Sequence, residues 1–277
     1  MKVLGVAVAD AECNFSRELE VFRNEVEAGT RFFFAYLTIH ATARKRKEVF
    51  TLLNKTPLFW NTCTYALQTA SYITLGRVFD HQSPHNIDRV LQQGQSNLQI
   101  FSKAALGQRR QPSEPTRPDW LDEFISKAYV PTIDDFRRLR RHVRKWRRIY
   151  EANYKNIRDK WFAHKEVAGG VELTNLWGQS QGTNRELQRM FVFLNSLHEA
   201  LEQLFVNGRK PILRQERYSV ARIRKIPSTT FSSGPVQERI TRDVGNFLTS
   251  MSKVTVSKTA RRAKRGSSTG QSGKKGM

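Results

Sequence analysis

Residues 132–166 read TIDDFRRLRRHVRKWRRIYEANYKNIRDKWFAHKE, and the fold is decided here. Thr132 is a suitable N-cap, and Asp134 and Asp135 place negative charge in the first turn, where the helix dipole favours it. Phe136, Leu139, Val143, Trp146, Tyr150 and Ile157 then recur at helical steps, so the spacing predicts one long amphipathic helix running through Ile157. The same stretch carries Arg137, Arg138, Arg140, Arg141, Arg144, Lys145, Arg147 and Arg148, with no carboxylate among them. Like charges at i and i+4 repel by a few tenths of a kcal/mol per pair, a cost that a phosphate backbone offsets. The apolar stripe leaves most of these cations on the opposite face, available to RNA or DNA.

Working outward, Phe15, Leu19, Phe22, Val26, Phe33, Tyr36 and His40 mark one long helix or two stacked ones, with a break expected at Gly29-Thr30. Helix is also expected from Arg44 to Leu53. Pro57 suits a first helical position, and Phe59, Cys63, Ala66, Ala70 and Ile73 continue a stripe that closes near Asp80. Short helices are expected over 87–91 and 98–106, with a proline-containing loop over 108–118. Residues 171–177 are expected to be extended. Thr183 and Glu186 form a capping box ahead of Leu187, Met190, Leu194, Leu197, Leu201 and Leu204, and Asn207-Gly208 ends that helix. Residues 218–226 alternate weakly, and a last short helix is expected over 236–247. The fold class is all-α, an up-and-down helical bundle. Its expected organisation is a bundle over 12–208, a basic extension over 209–250 and a disordered Lys/Arg/Ser/Gly tail over 251–277.

The 277 residues carry 47 Lys+Arg against 25 Asp+Glu, a formal charge of +22. Three segments account for all of it: 132–165 (+8), 209–225 (+6) and 251–277 (+8). A localised excess points to a polyanionic partner. With 39% hydrophobic residues the chain has enough apolar surface for a core. No apolar run is long enough to span a bilayer, and the short stretch after Lys2 only faintly imitates a signal peptide, so a cytoplasmic protein with no membrane partner is expected. Cys13 and Cys63 are expected to be buried thiols; the cysteines and histidines show no ligand spacing, so neither a metal nor another cofactor is expected.

Arg158, Asp159 and His164 stand within seven residues. An imidazole can move a proton to or from an oxygen, and a guanidinium can hold the charge that accumulates on phosphorus, which together suffice to cleave RNA. Six residues on an ideal α-helix give a rise of about 9 Å and a net rotation of about 120°, so Arg158 and His164 do not meet on one straight helix. Either the helix ends before His164, or a second copy completes the site.

The Arg158-Asp159 to Ala163-His164 run resembles the R-x(4–6)-H signature of the HEPN superfamily. The stretch from Leu75 through Gly76, Arg77, Val78 and Phe79 to Asp80 is similar to the R-x-x-D stretch of its Abi-type (abortive infection), AbiU2-like branch. That resemblance implies a helical homodimer, often a metal-independent ribonuclease acting as a toxin or phage-defence effector. It implies that Arg158 stabilises phosphate, that His164 is the general acid/base, and that Asp159 orients them. RNA is then the partner, with room for a neutralising antitoxin.

Other roles stand beside these. His164 also fits a helix C-terminal imidazole, and Arg158 a simple pair with Asp159. Arg77 is read as a buried ion pair with Asp80 or as a helper of the site. Trp146, Trp161 and Phe162 are read as core or dimer interface. Arg261, Arg262, Lys264 and Arg265 form a nucleic-acid anchor, a nuclear localisation signal or a ribosome-binding arm. The competing function class is a non-catalytic nucleic-acid-binding or partner-binding bundle; a helical hydrolase of another kind lacks any supporting motif.

Overall fold

The computed structural model describes residues 2–111, 118–163, 182–214 and 234–267. All regular elements among them are helical: α1 (Lys2–Lys45), α2 (Lys47–Lys55), α3 (Pro57–Phe79), α4 (Ile87–Ser96), α5 (Lys103–Arg110), α6 (Trp120–Ser126), α7 (Ile133–Asn153), α8 (Lys155–Ile157), α9 (Asn184–Asn207) and α10 (Val236–Ser267). A 3₁₀ turn at Leu98–Phe101 and a π-helical turn at Arg158–Ala163 complete the list. The all-α expectation holds. No helix among the described residues is long and apolar enough to cross a membrane.

The chain divides into two compact units, Met1–Thr30 with Thr69–Tyr218, and Arg31–Gln68 with Ser219–Met277. In the first, the stripe of α1 buries Phe15 against Phe101 and Phe205, with ring centroids 5.2 and 5.1 Å apart. Phe136 of α7 closes the cluster, 5.7 Å from Phe101. A Cβ at Gly94 would stand 2.5 Å from Phe136, so α4 can approach this cluster only with a glycine there. Burial of each such side chain contributes about 1.5–3 kcal/mol. The second unit has a smaller core of Ile39, Val49 and Leu248, flanked by Trp60, Leu67 and Val244.

Several boundaries differ from the sequence expectation. No break occurs at Gly29-Thr30: α1 runs through, because Gly29 meets Phe191 and Thr74 at a distance only hydrogen allows, and Thr30 Oγ1 returns a 2.6 Å bond to Val26 O. The break comes instead at Arg46, whose backbone is extended (φ −131°). α7 stops at Asn153, short of Ile157, and α6 follows the proline loop unannounced by any long pattern. α9 begins with Thr183 Oγ1 accepting the Glu186 N–H at 3.1 Å, and ends at Gly208 with φ +56°, a left-handed conformation that favours glycine. α10 runs from Val236 to Ser267, longer than the short helix expected over 236–247. Residues 171–177 and 218–226 lie outside the described residues. Cys13 is exposed and Cys63 partly buried, correcting the expectation of two buried thiols. Cys13 lies two residues from Phe15 and so points well off the buried stripe of α1.

Candidate active site

Tyr154, with φ −127° and ψ −27°, interrupts the helix after α7. Its hydroxyl donates to the Glu186 carboxylate at 2.7 Å and lies 3.1 Å from the Thr183 carbonyl, and the Asn153 amide donates to the same carboxylate at 3.0 Å. The end of α7 is thereby tied to the start of α9. The chain then makes one turn of π-helix, a form that occurs mostly as single turns and frequently at functional sites.

Arg158 opens that turn, and α3 receives it. A Cβ on Gly76 would overlap Arg158 Nη1 and stand 2.6 Å from Cδ, so this glycine makes the slot in which the guanidinium lies. Arg158 Nη2 donates to Asp80 Oδ2 at 3.1 Å, and Nε donates to Asp159 Oδ1 at 2.6 Å. Phe162, in the same turn, packs against Tyr72 with centroids 4.9 Å apart. Tyr72, Gly76 and Asp80 are successive i, i+4 positions, so a single stripe of α3 seats the turn.

The electrostatics favour a charged clamp. Burial alone would raise the Asp80 carboxyl, but the Gln82 N–H and the Arg158 guanidinium outweigh it and hold the group below the usual carboxylate range. Burial also works against the Arg158 charge, and Tyr150, Asp159 and Asp80 together overcome it, raising its pKa. Tyr150 is pushed up by burial; its hydroxyl is buried with no hydrogen-bond partner among the described residues, and its ring stacks on Phe79 at 5.5 Å. The Arg158 side chain is 14% exposed, which makes it a held group and not a surface cation.

Arg77 corrects the expected pair. It lies one residue, or about 100° of helix, round from Gly76. It is 61% exposed and meets Glu25 of α1 at 3.3 Å, leaving Asp80 to Arg158. Arg158, Asp159 and Asp80 are therefore brought together and Arg77 is not. His164 lies outside the described residues. Gly76 and Tyr150 belong to the cluster although the sequence reading assigned them no role; the signal was an interior glycine in α3 and a phenol within an apolar stripe.

Among the α7 cations, Arg147 is buried, not presented to solvent as expected. It pairs with Asp88 at 2.6 Å and donates to the Phe79 carbonyl at 2.9 Å, because residues 143, 147 and 150 share the inward stripe. Asp88 also receives His81 Nδ1 at 3.2 Å. Arg137 and Arg138 pair with Asp134 and Asp135, each at 2.9 Å, and Arg140 is half-buried. Arg141, Arg144, Lys145 and Arg148 are exposed. Arg261, Arg262, Lys264 and Arg265 fall in the last turns of α10, where only the backbone is described.

The family model described as AbiU2, of the HEPN type, matches residues 12–222. No curated protein and no solved structure matches the chain. The matched stretch runs from α1 past α9 and contains every residue of the Arg158 clamp, over more than half of the sequence: the chain belongs to the AbiU2 family of HEPN proteins.

Proposed function

We propose that this protein is a metal-independent endoribonuclease of the HEPN type, acting as a toxin or phage-defence effector through a site shared by two copies of the chain. The observation that carries the reading is the clamped guanidinium. Arg158 is fixed at the head of a π-helical turn by Gly76, Asp80 and Asp159, six residues before His164 in an R-x5-H segment.

In the proposed reaction one His164 imidazole takes the proton of a ribose 2'-hydroxyl as its oxygen attacks the adjacent phosphorus. The bond from phosphorus to the 5' oxygen breaks, and the second copy's His164 supplies a proton to that oxygen. The products are a 2',3'-cyclic phosphate and a 5'-hydroxyl. Arg158 carries the charge that builds on the non-bridging oxygens. Since Nε and Nη2 are committed to carboxylates, an arriving phosphate competes with Asp159, the more exposed of the two at 29%.

The test is cleavage of single-stranded RNA in EDTA by the full chain. Wild type is expected to cut, and His164→Ala to lose at least a hundredfold in rate while still binding RNA. Mixing wild-type with His164→Ala chains is expected to lower the rate below that of the wild-type fraction alone, because a mixed dimer lacks one of the two imidazoles. Wild-type cutting by His164→Ala sinks the catalytic assignment of His164, and absence of cutting by the wild-type chain leaves the non-catalytic nucleic-acid-binding or partner-binding reading.

A further inference from the structure

The first unit contains a half-open cleft of about 810 Å³, walled by α7, α9 and the segment after Gly208. Arg138, His142 and Lys145 come from α7, Arg189 from α9, and Lys210 and Arg214 from the following strand of chain. No carboxylate stands among the described residues that line it. Two of the lining cations have counter-charges outside the lining: Asp135 holds Arg138 at 2.9 Å, and Glu199 stands 3.8 Å from Arg214. The latter pair is exposed on both sides and contributes little. Lys145, Arg189 and Lys210 are exposed.

The wall is built and not incidental. Pro211 is buried, its carbonyl accepts from Arg138 Nη2 at 3.3 Å, and the Arg214 N–H donates to Ser196 Oγ at 2.8 Å. Those bonds lay the start of the second basic segment beside the first. Trp146 also lines the cleft, half-buried and stacked on Phe193 with centroids 5.7 Å and planes 29° apart. An indole backed by a second ring is a platform on which a base can stack.

We propose that this cleft is the seat of a single-stranded RNA segment, with its phosphates on the Lys145, Arg189 and Lys210 side and a base against Trp146. The polymer's identity rests on the ribonuclease reading; the location does not. A polymer fits better than a single nucleotide, because Arg141, Arg144 and Arg148 extend the exposed charge along α7 beyond the lining. Arginine forks match phosphate oxygens two at a time, and the aromatic platform has use for a base, so an acidic peptide satisfies only part of the surface. The first cationic segment and the described start of the second, residues 209–214, thus meet in one groove, on a face of α7 distinct from the 143, 147 and 150 stripe that packs inward.

The experiment is equilibrium binding of a fluorescent oligouridylate about ten nucleotides long, a length such grooves hold, to the full chain carrying His164→Ala. Integrity of the RNA is checked at the end of each titration. Lys145→Gln/Arg189→Gln is expected to weaken binding at least tenfold. The same variant lowers the slope of log affinity against log salt by roughly 1–2, about 0.7 per lost contact to a single strand. Arg17→Gln/Lys103→Gln, which removes equal charge elsewhere on the unit, changes affinity less than twofold, and all chains melt alike. Equal affinities for the cleft variant and the control overturn the proposal. So does a polyglutamate or nucleoside triphosphate probe that binds as tightly as the RNA and depends equally on Lys145 and Arg189. Because binding is read without cleavage, a catalytically silent protein that holds RNA here rejects the nuclease reading and keeps the cleft.

Discussion

Arg158 and Lys145 lie thirteen residues apart in the first unit, and their surroundings differ in kind. Arg158 is 14% exposed, held by two carboxylates and seated on a glycine. Lys145 is exposed on a cleft that no carboxylate lines among the described residues. A cation neutralised by its own protein is fixed in direction and attracts little from a distance; a cation without a counter-charge attracts a polyanion but orients it loosely. On the proposed reading one region positions and the other captures, and the expected consequences of mutation differ accordingly.

The largest separation is expected on α7 itself. Arg147→Ala leaves Asp88 deprived of its buried partner and should cost about 3–5 kcal/mol, read as a fall in urea midpoint. Arg148→Ala, one residue on and exposed, should stay within about 0.5 kcal/mol. Equal effects would break the distinction between inward and outward cations.

Acid should act chiefly through a buried imidazole, with a smaller loss from His40, whose pKa burial and then Arg44 also lower. Burial, then Arg23, lowers the His198 pKa to about 4 from its usual 6.5. The unfolded chain therefore binds a proton before the folded one does, and stability is lost as pH falls from about 6.5 to about 4, by roughly 3 kcal/mol at most. Asp80 and Asp135, both held below their usual range, add losses only at lower pH still. His198→Gln should flatten the stability profile between pH 6.5 and 4; an unchanged slope would remove His198 as its source.

Gly76→Ala sharpens the comparison at the clamp. The added methyl meets Arg158 Nη1 and must push the guanidinium from its slot, at a cost of about 1–3 kcal/mol. RNA affinity should stay within about twofold, since one displaced and already paired charge contributes little to capture, while cleavage falls. A loss of binding as large as the loss of cleavage would show that the two regions are not separable.

Much of this was legible beforehand. The stripes of α1, α3, α7 and α9 are set by apolar spacing, and the localised charge identified α7 and the segment after Gly208 before their meeting was visible. What escaped was side-chain direction. Trp146 was placed on the buried stripe because it is apolar, whereas the 143, 147 and 150 positions carry an arginine inward and leave the indole in the cleft. Pairing escaped too: Arg77 and Asp80 are neighbours in sequence, yet about 60° of helix separates them net, and each finds its partner on another element, Glu25 and Arg158. The π-helical turn has no sequence signature of its own; it follows from seating Phe162 on Tyr72 and Arg158 on Gly76 together.

The most direct measurement is the rate of RNA cleavage in EDTA as a function of RNA concentration, for Arg158→Gln and for Lys145→Gln/Arg189→Gln. The account predicts that Arg158→Gln loses at least a hundredfold in kcat with RNA affinity nearly intact, and that the cleft variant reaches the wild-type kcat at saturation with KM raised at least tenfold. Wild-type kcat for Arg158→Gln would contradict it.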